Sequence, residues 1–166
     1  MTKHGFAAAL ICLGLPAMAQ DFTYDPAILS GCLATEKDQP EICIGRGSTD
    51  CIAGEGGTST VGVVACLNAE RDQWAQLMDT SYDALMTEAE SADAEMEQLG
   101  SAADRQVPHL EAMQKNWAAY RDEACIWEAS RWGGGSGAGP AAAGCDMRLT
   151  GQQAAMLKVI GDGASD

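Results

Sequence analysis

Positive charge is scarce in this 166-residue chain, with 10 lysines and arginines against 24 aspartates and glutamates and a net charge of −14. That balance excludes a surface built for nucleic acid or for an anionic membrane, since both require clustered Lys and Arg. Histidine is scarcer still, His4 and His109 being the two in the sequence. There is no C-x-x-C pair, so the usual four-ligand spacing of a zinc site is missing, and no metal or cofactor is expected. Histidine-based acid-base catalysis has one candidate after residue 20, His109, which stands beside Pro108 with no nucleophile motif near it and reads as a surface residue at a helix start. Carboxylates are so abundant that a glycosidase-type pair carries no specific signal. The chain is therefore read as a non-enzyme. It also lacks any apolar run of about 20 residues after the leader, so no membrane insertion is expected.

What is present begins with a leader. Residues 1–19 have the plan of a secretory signal: Lys3 and His4, an apolar run from Gly5 to Pro16, and Ala17-Met18-Ala19 before the cut. Ile11 precedes Cys12 where lipid attachment wants a small residue, so the expectation is a soluble periplasmic or secreted protein. About 147 residues then remain, enough for one domain. Losing Lys3 takes the balance to 9 basic against 24 acidic residues, near −15, which favours solubility and would attract a basic protein.

Six cysteines follow the leader: Cys32, Cys43, Cys51, Cys66, Cys125 and Cys145. An even number in an exported chain reads as three disulfides. Six cysteines can pair in many ways; proximity along the chain suggests Cys32 with Cys43, Cys51 with Cys66, and Cys125 with Cys145. The last bridge would close a glycine-rich loop of about 20 residues, contributing on the order of 3 kcal/mol.

Hydrophobic periodicity is helical throughout, with no segment alternating like a half-buried strand. Residues 20–57 read as a disulfide-tied preface in which Pro26 opens one short helix, and a second from Glu41 to Cys51 is broken by Gly45 and Gly47. After a turn at Gly54 to Gly57, Thr58 or Ser59 caps a long helix to Leu99, which Gly100 ends. Its far half, Glu88 to Glu97, is expected to project into solvent as an acidic face. With Asp104 as cap and Pro108 in the first turn, a helix starts near Arg105. On it Leu110, Met113, Trp117, Tyr120, Ala124 and Trp127 form one apolar stripe, expected to be core. Arg121 lies beside the stripe, either reaching solvent or crossing to Glu70 or Asp72. The segment Gly133 to Gly144 reads as loop, with Trp132 at its edge, and Thr150 with Gln153 as the capping box of a short last helix. The expected fold is all-α, a small disulfide-stapled bundle on two long antiparallel helices.

The run Trp117-Ala118-Ala119-Tyr120-Arg121-Asp122-Glu123-Ala124-Cys125 resembles the exported bacterial domains called lysozyme inhibitor LprI-like, whose pattern is W-x-x-[YF]-R-D-x-x-C. A G-G-[ST] loop at Gly134-Gly135-Ser136 and a C-x-x-x-L-T step from Cys145 to Thr150 follow in the family's order. Cys51, Cys66-Leu67-Asn68-Ala69-Glu70, Trp74 and Tyr82 resemble its first helix. The likeness covers about residues 50–160, within a helical domain taken as 58–162. It implies a protein that binds a basic, lysozyme-like glycosidase, with Trp132, Gly133, Gly134, Gly135, Ser136, Arg121 and Asp122 as candidate partner-binding residues. The loop from Trp132 to Gly139 would enter or cover the partner's cleft, and Arg121 with the Cys125 to Cys145 bridge would hold its base. The alternative is a non-inhibitory accessory or protein-binding module of the cell envelope.

Overall fold

A computed structural model describes residues 22–164. The leader at 1–19, with Cys12, lies outside them. The described chain is helical: α1 (Pro26–Thr35), a 3-10 turn (Pro40–Cys43), α2 (Arg46–Ala53), α3 (Thr60–Gln98), α4 (Gln106–Ser130) and α5 (Ala138–Ala164). Among the described residues there is no strand. The all-α, disulfide-stapled bundle stands, with α3 and α4 antiparallel.

The largest helix, α3, begins where the Ser59 hydroxyl accepts the Gly62 N–H at 3.0 Å. Its inner face runs Gly62, Cys66, Glu70, Trp74, Met78, Leu85 and Ala89, a spacing of about four residues that keeps one side of a 3.6-residue helix inward. Gly62 and Gly57 are glycine because main chain fills the space a Cβ would need: Gly56 and Gly57 lie against Gly62, and Cys51 and Ile52 against Gly57, within 2.8 Å. The Cys51–Cys66 bridge ties α2 to α3 beside this contact.

The last helix differs from expectation. It begins at Ala138, not near Thr150, so the glycine-rich segment is loop only as far as Gly137. Pro140 falls in its first turn, where the missing N–H costs nothing. Glycine and alanine are here for close packing: Gly139 faces Val64, Gly144 faces Leu67 and Gly161 faces Leu85, which sets α5 parallel to α3. Gly151 sits against Ile44 so tightly that a Cβ would come within 2.9 Å of that side chain. Thr150 and Gln153 are buried inside α5 and cap nothing. From Ala143 to Leu157 few residues of α5 reach solvent, because α3, α4 and the 3-10 turn cover it. Tertiary packing overrides the low helix propensity of its glycines.

One core joins the bundle. Leu29, the Cys32–Cys43 bridge, Trp74, Met78, Leu85, Ala154 and Leu157 form it, with Leu110, Met113 and Trp117 packed on from α4. The N-terminal segment also docks through Tyr24, whose ring lies over Gly47 and whose hydroxyl donates to Gln73 Oε1 at 2.6 Å. Burial, with Glu70 and Asp25 nearby, pushes that hydroxyl above the ordinary tyrosine range. This contact explains why Gly47 lies inside α2 and does not break it, whereas Gly45, at φ 88°, does end the preceding turn.

Two carboxylates of α3 cap other helices. Buried Glu70 accepts the backbone N–H groups of Gly45 and Ser48, both at 2.6 Å, at the start of α2, and the Trp74 indole N–H at 3.1 Å. Asp93 accepts the Gln106 and Val107 N–H groups at 2.7 and 3.0 Å and so caps α4; Asp104 does not. Burial raises the Asp93 carboxyl, but the two N–H donors, then Arg105 and His109, outweigh it and hold the group below its usual range.

Candidate functional site

The end of α4 and the beginning of α5 are stapled by Cys125–Cys145, and beside that bridge Leu149 and Ala124 add apolar packing. The bridge closes the seven-residue turn from Arg131 to Gly137, with Gly133 and Gly134 at φ 55° and 82°, which glycine adopts without strain. Trp132 folds back so that its indole lies directly on Gly137, in space a Cβ would occupy. Gly133, Gly134, Gly135 and Ser136 are exposed at the tip. The turn is thus short and fastened at both ends; the expected loop to Gly139 is two residues too long.

Arg121 lies elsewhere. Its Nε is 3.4 Å from Asp146 of α5, its Nη2 is 2.8 Å from Asp122, and its guanidinium sits over the Trp117 ring at 5.0 Å. Arg71 of α3 reaches the other oxygen of Asp146 at 3.4 Å, and the Thr150 hydroxyl also donates to this carboxylate at 3.4 Å. Asp146 therefore joins three helices. Arg121 does not cross to Glu70, which is enclosed under α2, nor to Asp72, which pairs with Arg71. Arg121, Asp122 and Asp146 line a groove of about 660 Å³ with Val64 and Asn68, between α3 and α4 and floored by α5.

Trp132 lines a different groove on the other flank of α4 and α5, with Arg131, Glu128 and Arg148. Tyr120 and Trp127, expected in the core, are exposed here at 62% and 60%, and Trp132 at 55%. The reason is angular: the inner face of α4 is Leu110, Met113, Trp117, Arg121, Ala124 and Cys125, and Tyr120 and Trp127 stand about 60–80° off it. The Arg131 guanidinium covers Trp127 at 5.1 Å to the ring centre and pairs with Glu128 at 3.2 Å. The structure thus separates the sequence-derived candidates. Trp132 and the glycine tip share a face with Tyr120, Trp127, Arg131 and Arg148, while Arg121 and Asp122 belong to the opposite groove.

Sequence reasoning missed Asp146 and Arg71, although each directly follows a noted residue, Cys145 and Glu70. Among the described residues no cluster of His, Cys, Asp or Glu is arranged to hold a metal. No described helix is long and apolar enough to cross a membrane. The aromatic face can offer flat apolar area with arginine donors, which suits recognition by contact.

The profile of a family described as "Lysozyme inhibitor LprI" matches residues 51–157. An uncharacterized 17.7 kDa protein in the puhA 5′ region of Rhodobacter capsulatus is 28% identical over 159 residues, covering 93% of this chain and 94% of the relative. No solved structure matches.

Proposed function

Because the chain belongs to the lysozyme inhibitor LprI family, we propose that it binds a basic, lysozyme-like glycosidase outside the cytoplasm and blocks it. In this reading residues 1–19 direct export to the periplasm, where the three disulfides persist. The observation that carries the proposal is the fastened turn. Gly133 to Ser136 project from a base fixed by Cys125–Cys145 and by Trp132 on Gly137, so little conformational entropy is lost when a partner seats on them. Trp132 and Arg131 of the turn share a groove with Arg148, and Trp127 and Tyr120 extend that face down α4; aromatic and arginine side chains dominate binding energy at interfaces. A net charge of −14 speeds encounter with a cationic enzyme. Asp122, exposed on the other flank, adds a carboxylate, and Arg121 keeps α4 seated against Asp146 beneath it.

A lytic assay tests this. Oxidised protein in molar excess over a c-type lysozyme lowers lysis at physiological salt, and the Trp127→Ala/Trp132→Ala pair weakens inhibition by about tenfold or more. Unchanged lysis at large excess would overturn the inhibitor reading and favour an envelope accessory module.

A further inference from the structure

At the end of the bundle away from the glycine turn, α3, α4 and α5 leave a second cavity, of about 400 Å³. Some 22 residues of α4, roughly 33 Å, separate His109 in its wall from Arg131 at the turn, so the two regions are physically independent. The floor is apolar. Leu85, Ala89 and Leu157 are buried there, Leu110 and Met113 are half-buried, and Ile160 is exposed at the mouth.

Arg105 stands in the wall of this cavity, one residue before α4. Its Nη1 is out of contact with solvent, and no acceptor lies within hydrogen-bonding reach among the described residues. The nearby Asp93 carboxylate, which accepts the Gln106 and Val107 N–H groups, attracts Arg105 electrostatically but makes no hydrogen bond to Nη1. A buried guanidinium nitrogen without an acceptor is unfavourable, and such groups are rare unless something else satisfies them. Glu88 and Asp104 also line the opening, but both are exposed and their charge is screened by water. His109 adds a further polar group at the rim.

We infer that this cavity is a binding site for a small amphiphile, a linear acyl chain carrying an anionic oxygen head. The chain would occupy the apolar floor and the head would accept from Arg105 Nη1. The volume lies within the range of about 300–1,000 Å³ typical of ligand pockets, and the combination of apolar lining with one buried donor is what such pockets use for affinity and orientation. A cationic head would leave the Arg105 donor unmet, whatever attraction it found in the exposed Glu88 and Asp104 at the opening.

The test is titration of the oxidised, ¹⁵N-labelled protein with decanoate below its micellar concentration, followed by amide shifts. Decyltrimethylammonium and the Arg105→Gln variant run alongside. The inference expects saturable shifts confined to residues 85–89, 104–113 and 157–160. It also expects at least fivefold tighter binding of decanoate than of the cationic analogue, and a similar loss in Arg105→Gln. Absence of saturation at millimolar decanoate, equal affinity for the two heads, or shifts centred on Trp127 and Trp132 would each overturn it. The head-group comparison uses the unaltered protein, so the result stands even if the variant is unstable.

Discussion

Replacing Glu70 with glutamine keeps the size and shape of the side chain and removes one acceptor and the charge. In the native protein the carboxylate holds two backbone N–H groups at 2.6 Å, that of Ser48 buried and that of Gly45 half-buried, and the buried Trp74 indole at 3.1 Å. The amide retains one accepting oxygen and turns an NH₂ toward a backbone N–H, so at least one donor is orphaned and donor faces donor. A hydrogen bond to a charged group contributes about 1.5–3 kcal/mol, and an orphaned buried donor costs about 1–3 kcal/mol. The favourable carboxylate at the α2 N-terminus is lost as well, worth about 0.3–1 kcal/mol or more when buried. Glu70→Gln should therefore lose about 2–4 kcal/mol, and Glu70→Ala more, since all three donors lose their partner and a cavity remains. Urea unfolding followed by far-UV circular dichroism measures this. With a slope of about 2 kcal/mol per molar urea, the middle of the range for small proteins, the midpoint falls by about 1–2 M at unchanged slope. A Glu70→Gln loss under about 1 kcal/mol would refute the reasoning that this carboxylate seats the N-terminal helices.

Asp93 gives a pH signature. Its carboxyl is held below the usual range, so its stabilisation is full above the unfolded-state value, near 3.9, and disappears as pH falls through the lower folded value. Asp93→Asn should accordingly be less stable than the native chain at pH 7, and the gap between their urea midpoints should close as the pH falls below the ordinary aspartate range and through the lower folded value; a gap that is constant with pH would contradict the cap. Gly137→Ala places a methyl where the Trp132 indole lies, so the ring is displaced and tryptophan emission shifts to the red while helical circular dichroism is retained; under the proposed function it also weakens lysozyme inhibition. Removing the last bridge as Cys125→Ala/Cys145→Ala should cost about 3 kcal/mol in unfolding free energy, because the pair closes a loop across 20 residues.

The readable parts of the sequence were those where one residue type has one physical use. Thr58 or Ser59 before a long apolar stripe marks the start of α3, Ser59 being the cap, Gly100 marks its end, and neighbouring cysteines mark the loops that can be closed. The helix after Arg105 was legible through Pro108, but its cap was not, since Asp93 is 13 residues away from the N–H it serves. Glycines mislead where they serve packing: Gly139 and Gly144 look like loop residues until Val64 and Leu67 are placed against them. Tyr120 and Trp127 misled for a related reason. A three-or-four spacing tolerates an error of about 60–80° around the helix, enough to move an aromatic from the core to the surface. Of the candidate site, the turn and Trp132 could be found in one dimension. The division between the aromatic flank and the Arg121 groove could not, because it depends on which side of α5 each residue meets.

Under the proposed function this acidic, triply bridged protein recognises a lysozyme-like partner through the turn at Gly133 to Ser136 and the aromatic residues beside it. The decisive measurement is calorimetric titration of the oxidised protein into a c-type lysozyme, at low and at physiological salt. Binding that persists at physiological salt and is lost when residues 133–136 are deleted is the result predicted. Heat seen only at low salt, and indifferent to the deletion, would assign the attraction to net charge alone and contradict the claim.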